Sequence, residues 1–144
     1  MNKADEAMSL FKSGCCCSQA ILATYGQSLG MSHEQSLKIA CGFAGGMHMA
    51  ETCGAVTGAF MVLGLRHAGS SSNKPEGRAA TKGAIIEFTK KFEARRGTVT
   101  CRDLLGCDIS TAEGLSKAKQ EGLIASRCPQ IVHDAAEILE EMSP

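Results

Sequence analysis

Apolar residues recur at helical spacing along most of the chain. Over 4–12 they fall at Ala4, Ala7, Met8, Leu10 and Phe11, and Gly14 then interrupts the pattern. A second helix is predicted over 17–27, with Ala20, Ile21 and Leu22 among its inward residues. Ser32 followed by Gln35 is a capping box and opens a third helix reaching Cys41. Gly42, Gly45 and Gly46 then mark a loop or a sharply bent passage. Residues 52–66 are apolar nearly all round, as a central buried helix should be. Within them Gly54 and Gly58 lie four apart, a spacing that lets a neighbouring backbone approach closely.

Residues 69–73 read as a serine-rich connection, and Asn73 with Pro75 and Glu76 starts a helix to Arg96. Its stripe is Ala84, Ile85, Phe88 and Phe92. Arg95, Arg96 and Gly97 end it as cations and glycine should, so the arginines are dipole partners rather than a nucleic-acid patch. Thr98, Val99 and Thr100 form a short extended bridge, and 101–106 a short helical turn. Ser110 and Glu113 form another capping box, starting a helix to about 126. The last helix is predicted to run from Pro129 to Met142, with Cys128 in the N-cap position. With no strand pattern and short connections, the expectation for 1–144 is an all-α, single-domain antiparallel helical bundle of about five to six helices.

Composition narrows the function more than the fold. Hydrophobic residues make up 44% and charged residues 21% of 144, a globular balance that excludes a disordered chain. Fifteen basic residues offset 15 acidic ones, so no general field draws the protein to nucleic acid. The longest apolar run, 55–65, is broken by Thr57 and is too short for membrane insertion. The polar N-terminus has no apolar export segment, and a cytoplasmic location is expected. A homodimer is compatible with so small a bundle.

Eight cysteines change the picture. In a reducing compartment, and in a chain able to build its own core, sulfur in such number points to metal binding or redox work. No paired zinc-finger spacing, CxxCH or CxxC is present, so any site is assembled from distant parts of the chain. Cys17, Cys53, Cys101 and Cys128 all fall at predicted helix N-termini. There, backbone N–H groups and the helix dipole stabilise a thiolate as ligand or nucleophile. Cys41, at the end of its helix, reads as core packing. Cys15 and Cys16 are reserve ligands or incidental, and Cys107 is a candidate resolving thiol for Cys101. His48, between Met47 and Met49 in a glycine-flanked loop, is a secondary soft-ligand candidate for copper or haem. His33, His67 and His133 read as solvated.

The stretch 14–19, the run Cys53-Gly54-Ala55-Val56-Thr57-Gly58, Cys101 and Cys128 together resemble the redox-active proteins named for their C_GCAxxG_C_C arrangement. The resemblance extends to the glycine-rich stretch 41–46, and to Leu104 and Gly106 after Cys101. It implies that Cys17, Cys53, Cys101 and Cys128 are the family cysteines, the same four that the helix-end argument selects. It also implies a small helical protein associated with an oxidoreductase or transporter system. A similar cysteine-bearing region in split-Soret-type cytochromes implies an iron–sulfur cluster. Cys15, Cys16, Cys41 and Cys107 are extra to the pattern.

Three readings remain open. In the first, those four thiolates hold an iron–sulfur cluster such as [2Fe–2S], in an electron-transfer or accessory protein. In the second, the same cysteines cycle between dithiol and disulfide without metal. In the third, they bind zinc in a structural or sensing module. An autonomous enzyme is disfavoured, since no acid–base pair or triad stands out.

Overall fold

Asn2 caps the first helix by accepting the Asp5 N–H at 2.8 Å, with Asp5 and Glu6 in the first turn. From there the computed structural model, described over residues 1–69 and 74–142, is helical nearly throughout. The helices are α1 (Lys3–Lys12), α2 (Cys17–Gly26), α3 (His33–Cys41), α4 (Gly54–His67), α5 (Pro75–Arg96), α6 (Cys101–Leu105), α7 (Ala112–Gln120) and α8 (Leu123–Glu141). Eight α-helices thus stand among the described residues where five to six were expected, the short α6 and α7 each counting as an element. No strand occurs among the described residues, only one antiparallel bridge between Thr52 and Thr100. The expected Asn73 cap lies outside the described residues.

Helix α4 is central, packed on α2, α5 and α8, while α1 lies along α8 and α2. Ile21, Leu22, Val56, Leu63, Phe88, Phe92, Ile138 and Leu139 are fully buried at these contacts. Each such side chain contributes roughly 1.5–3 kcal/mol by leaving water. Phe88 stacks on Phe92 and meets Phe60 edge-on. Tyr25 joins α2 to α8, its hydroxyl lying 3.2 Å from the Ala136 carbonyl and 2.9 Å from Glu140. Arg95 and Arg96 bind Asp134 and Glu137 of α8, consistent with a structural rather than a nucleic-acid role. Gly58 permits the α2–α4 approach: a Cβ there would stand 3.0 Å from the Ser18 carbonyl oxygen and 3.1 Å from the Ile21 Cβ.

Three sequence expectations are corrected. Helix α8 begins at Leu123, not at Pro129, because Gly122 at φ 64° breaks the chain direction there and the helix then runs through the buried Pro129. Proline removes one internal N–H, but packing on both sides holds the helix together. Helix α7 is capped by Thr111, which accepts the Gly114 N–H at 3.0 Å, because Ser110 is engaged by the Asp108 carboxylate. His133 is not solvated; its Nε2 lies 3.2 Å from Asp5 on α1, and its side chain is only 17% exposed.

Candidate functional site

Gly14, at φ 122°, turns the chain out of α1, and Cys16 caps α2 with its own N–H donating to Gln19 Oε1 at 3.0 Å. Cys17 is the first residue of α2, and its sulfur rests against α4 where Gly54 has no side chain. A Cβ at Gly54 would stand 2.3 Å from that sulfur, so the glycine after Cys53 is the space Cys17 occupies.

The segment after α3 is unusual. Gly45, Gly46, Met47 and His48 take φ of 58°, 65°, 58° and 58° in succession, a left-handed turn, and Ala50 follows at 55°. Each non-glycine residue there costs about 1–2 kcal/mol. Gly46 is required, since a Cβ would meet the Glu51 nitrogen at 2.3 Å. The turn is held from outside by Arg102, which donates to the carbonyls of Ala50 and Met49 (3.2 Å each) and to the Glu51 carboxylate at 3.0 Å. His48 Nε2 lies 3.1 Å from the Cys41 carbonyl oxygen. The result directs the Gly45 N–H at the Cys17 sulfur.

Beyond the turn, the extended bridge joins two more cysteines. Cys53 N–H donates to Val99 at 2.8 Å and Cys101 N–H to Glu51 at 2.6 Å, flanking the Thr52–Thr100 pair. Cys53 is thereby the N-cap of α4 and Cys101 the first residue of α6, side by side. Thr52 is spent on this bridge, which is why α4 starts at Gly54, two residues later than the predicted 52.

Cys128 arrives from α8, more than a turn inside the helix rather than at its N-terminus. The helix-end argument therefore holds for Cys17, Cys53 and Cys101 and fails for Cys128. Nevertheless all four line one cavity of about 260 Å³, together with Cys16 and His48. The other walls are apolar, among them Phe11, Leu104, Leu105, Ile109, Ile124 and Ile131.

Protonation differs sharply among these sulfurs. The Cys53 S–H donates to Cys17, and the N–H groups of Gly45 and Ser18 add to it. These donors overcome the burial of Cys17 and hold its thiol at about 6. Cys53, the donor of that bond and itself desolvated, is pushed well above the usual thiol range. Burial raises Cys101 to about 11 and Cys128 to about 12, with the Cys17 charge adding to both. Without a cation the cavity thus favours one thiolate and three thiols at neutral pH.

The remaining cysteines lie apart. Cys41 is exposed rather than packed in the core, because α3 buries Ser36 and Ala40 and turns its last residue outward. Cys15 is partly buried in the turn before α2. Cys107 does not line the cavity, and its sulfur is 3.6 Å from the Gly114 carbonyl oxygen.

The cavity sulfurs are not clustered as tightly as one ion requires. Among the described residues, the group of three ligand atoms within 4.8 Å of one another is His133, Asp134 and Glu137. Its carboxylates are already bound by Arg95 and Arg96. Four thiolates on one tetrahedral zinc stand about 3.8 Å apart, whereas no three of the cavity sulfurs lie within 4.8 Å of one another. Sequence reasoning missed Gly45 and Arg102. The Gly45-Gly46 pair was a visible signal for positive φ, whereas nothing in the sequence marked Met47 and His48 as left-handed.

A family model described as "Putative redox-active protein (C_GCAxxG_C_C)" matches residues 15–142. No curated protein and no solved structure matches the chain. Among the described residues, no helix is long and apolar enough to cross a membrane.

Proposed function

From the premise that the chain belongs to the C_GCAxxG_C_C family, matched over nearly its whole length, we propose that Cys17, Cys53, Cys101 and Cys128 hold an iron–sulfur cluster. The protein then serves as an electron carrier or as the accessory of an oxidoreductase. One observation carries the reading: four cysteines from four separate helices line one largely apolar cavity of about 260 Å³, with no three of their sulfurs within 4.8 Å of one another. The donor chemistry fits, since thiolate sulfur is the usual ligand of such clusters.

The chain's own part is specific. Cys17 offers a ready thiolate, and Cys53, Cys101 and Cys128 become ligands by giving up protons that burial otherwise retains. The N–H groups of Gly45 and Ser18 offset negative charge on sulfur, the usual way a protein raises a cluster's potential. Phe11, Leu105 and Ile131 keep water from the sulfurs. A bound cluster supplies one-electron transfer. Ile39, Phe43 and Met49 are exposed apolar residues on and beside the segment that walls the cavity, a surface suited to a partner protein.

A second reading rests on the hydrogen bond between Cys53 and Cys17. A low-pKa thiolate beside a protonated thiol is the arrangement of a metal-free dithiol centre, with Cys17 as nucleophile. Anaerobic purification separates the two. The cluster reading expects visible charge-transfer absorption with matching iron and acid-labile sulfide, reduced by Ser in place of any one of the four cysteines. Colourless protein that resists anaerobic reconstitution, yet shows a reversible two-electron thiol titration, supports the dithiol instead.

A further inference from the structure

Two of the extra cysteines sit at one helix junction outside the four. Helices α2 and α3 are joined by the short turn around 27–32, so the start of α2 lies beside the end of α3. Side chains fix that junction. Gln19 Nε2 donates to the Leu37 carbonyl at 3.0 Å, and the buried Ser18 hydroxyl donates to the Ala40 carbonyl at 2.7 Å. The same Ser18 oxygen is 3.6 Å from Cys16 Sγ, and Cys41 is the residue after Ala40. Cys16 is half-buried at the cavity rim and Cys41 is exposed at the surface.

We propose that Cys16 and Cys41 form a second, surface-accessible dithiol that oxidises reversibly to a disulfide clamping the start of α2 to the end of α3. The oxidant is a low-molecular-weight disulfide of the glutathione class. The Cys41 thiolate attacks one of its sulfurs and releases one thiolate, leaving a mixed disulfide on Cys41. Cys16, losing its proton, then attacks the Cys41 sulfur and expels the second small thiolate, which takes up that proton. In sum, one small disulfide is reduced to two thiols as one protein disulfide forms. Cys41 is the entry thiol because it is exposed, and Cys16 the resolving thiol because it is half-buried.

The clamp would bear on the neighbouring site through Cys17, the next residue along the chain. It nevertheless stands independently of the cluster reading, since neither Cys16 nor Cys41 is among the four proposed ligands.

The test treats the full chain anaerobically with oxidised glutathione, blocks free thiols with iodoacetamide, and maps the peptides by mass spectrometry. Cleavage after glutamate as well as lysine and arginine separates Cys41 from Cys53, because Glu51 lies between them. A cross-link from Cys41 to Cys16, reversed by dithiothreitol and unaffected by Cys15→Ser, is the expected result. Cys16→Ser should lose that link and leave glutathione on Cys41, while Cys41→Ser should lose both and retain whatever iron the wild type binds. A stable mixed disulfide on Cys41 in the wild type, or a link from Cys41 to Cys15 or Cys17 instead, overturns the proposal. Loss of iron in Cys17→Ser with the Cys16–Cys41 link intact would separate the fate of this dithiol from that of the cluster.

Discussion

At Cys17 two opposing effects meet: burial disfavours a thiolate, while donors from Cys53, Gly45 and Ser18 favour it, and the donors win. In the metal-free protein one thiol should therefore alkylate rapidly at neutral pH, its rate falling away as pH drops through about 6. Cys53→Ala removes the first donor, so the midpoint should move back toward the ordinary thiol value of 9.0; pH-dependent iodoacetamide kinetics read both. An unchanged midpoint in that variant would mean that Cys53 is not the donor. Gly54 and Gly58 give a paired comparison. Alanine at either position overpacks the α2–α4 contact, lowering stability by about 1–3 kcal/mol. Only Gly54→Ala places a carbon on the Cys17 sulfur, and it alone should also abolish the low-pH reactivity. Thermal unfolding together with the alkylation profile distinguishes the two effects.

At the scale of elements, the left-handed turn 45–48 is the strained piece and Arg102 is its brace. Arg102→Ala frees the carbonyls of Met49 and Ala50, and hydrogen exchange of the amides at 45–51 should accelerate while that of α5 and α8 stays as it was. The global loss should be small, about 1 kcal/mol, since the guanidinium is partly exposed. Lysine cannot reproduce the fork and should behave like alanine. These elements also show what a sequence discloses. The helices were legible because apolar periodicity and the Ser32–Gln35 box are local signals, and Cys17, Cys53 and Cys101 followed from helix starts. The start of α8 was not legible, because tertiary packing kept Pro129 inside a helix that local rules would begin there. The left-handed turn was hidden for the same reason: the contacts that hold it are tertiary, from Arg102 to the carbonyls of Met49 and Ala50 and from His48 to the Cys41 carbonyl. Cys41 was misread as core from its place at the end of α3 beside Gly42, whereas the face of α3 decides its exposure.

Across the whole molecule, the cavity borders the core, but the core's aromatic centre lies away from it. Phe88, Phe92, Val62 and Ile138 pack between α4, α5 and α8, and none of them lines the cavity. The fold should therefore survive removal of any bound metal, unlike a zinc finger, with helical circular dichroism retained after chelation and only the melting temperature lowered. Stability of the metal-free form should then follow its sulfurs. Cys17 ionises more readily folded than unfolded, so its contribution grows as pH rises from about 6 and is complete above 9. Cys101 and Cys128 hold their protons to about 11 and 12 when folded but release them near 9.0 when unfolded, so each withdraws stability as pH climbs past 9. Cys128→Ser should flatten the alkaline fall, which denaturant titrations at pH 8 and 10 measure.

The same asymmetry fixes a proton count for filling the site. At pH 7 Cys17 is already ionised, while Cys53, Cys101 and Cys128 are not. Loading soft cations until all four sulfurs are engaged, through more than one ion because no three of the sulfurs lie within 4.8 Å of one another, must displace about three protons. Anaerobic calorimetry of the metal-free protein with Cd²⁺, repeated in buffers of different ionisation enthalpy, reads that number directly. Cys128→Ser should lower it to about two, and Cys17→Ser should leave it near three while weakening binding. A release of one proton or none in the wild type would show that the four sulfurs do not act on one centre. It would leave the Cys17–Cys53 hydrogen bond as the working chemistry of the cavity.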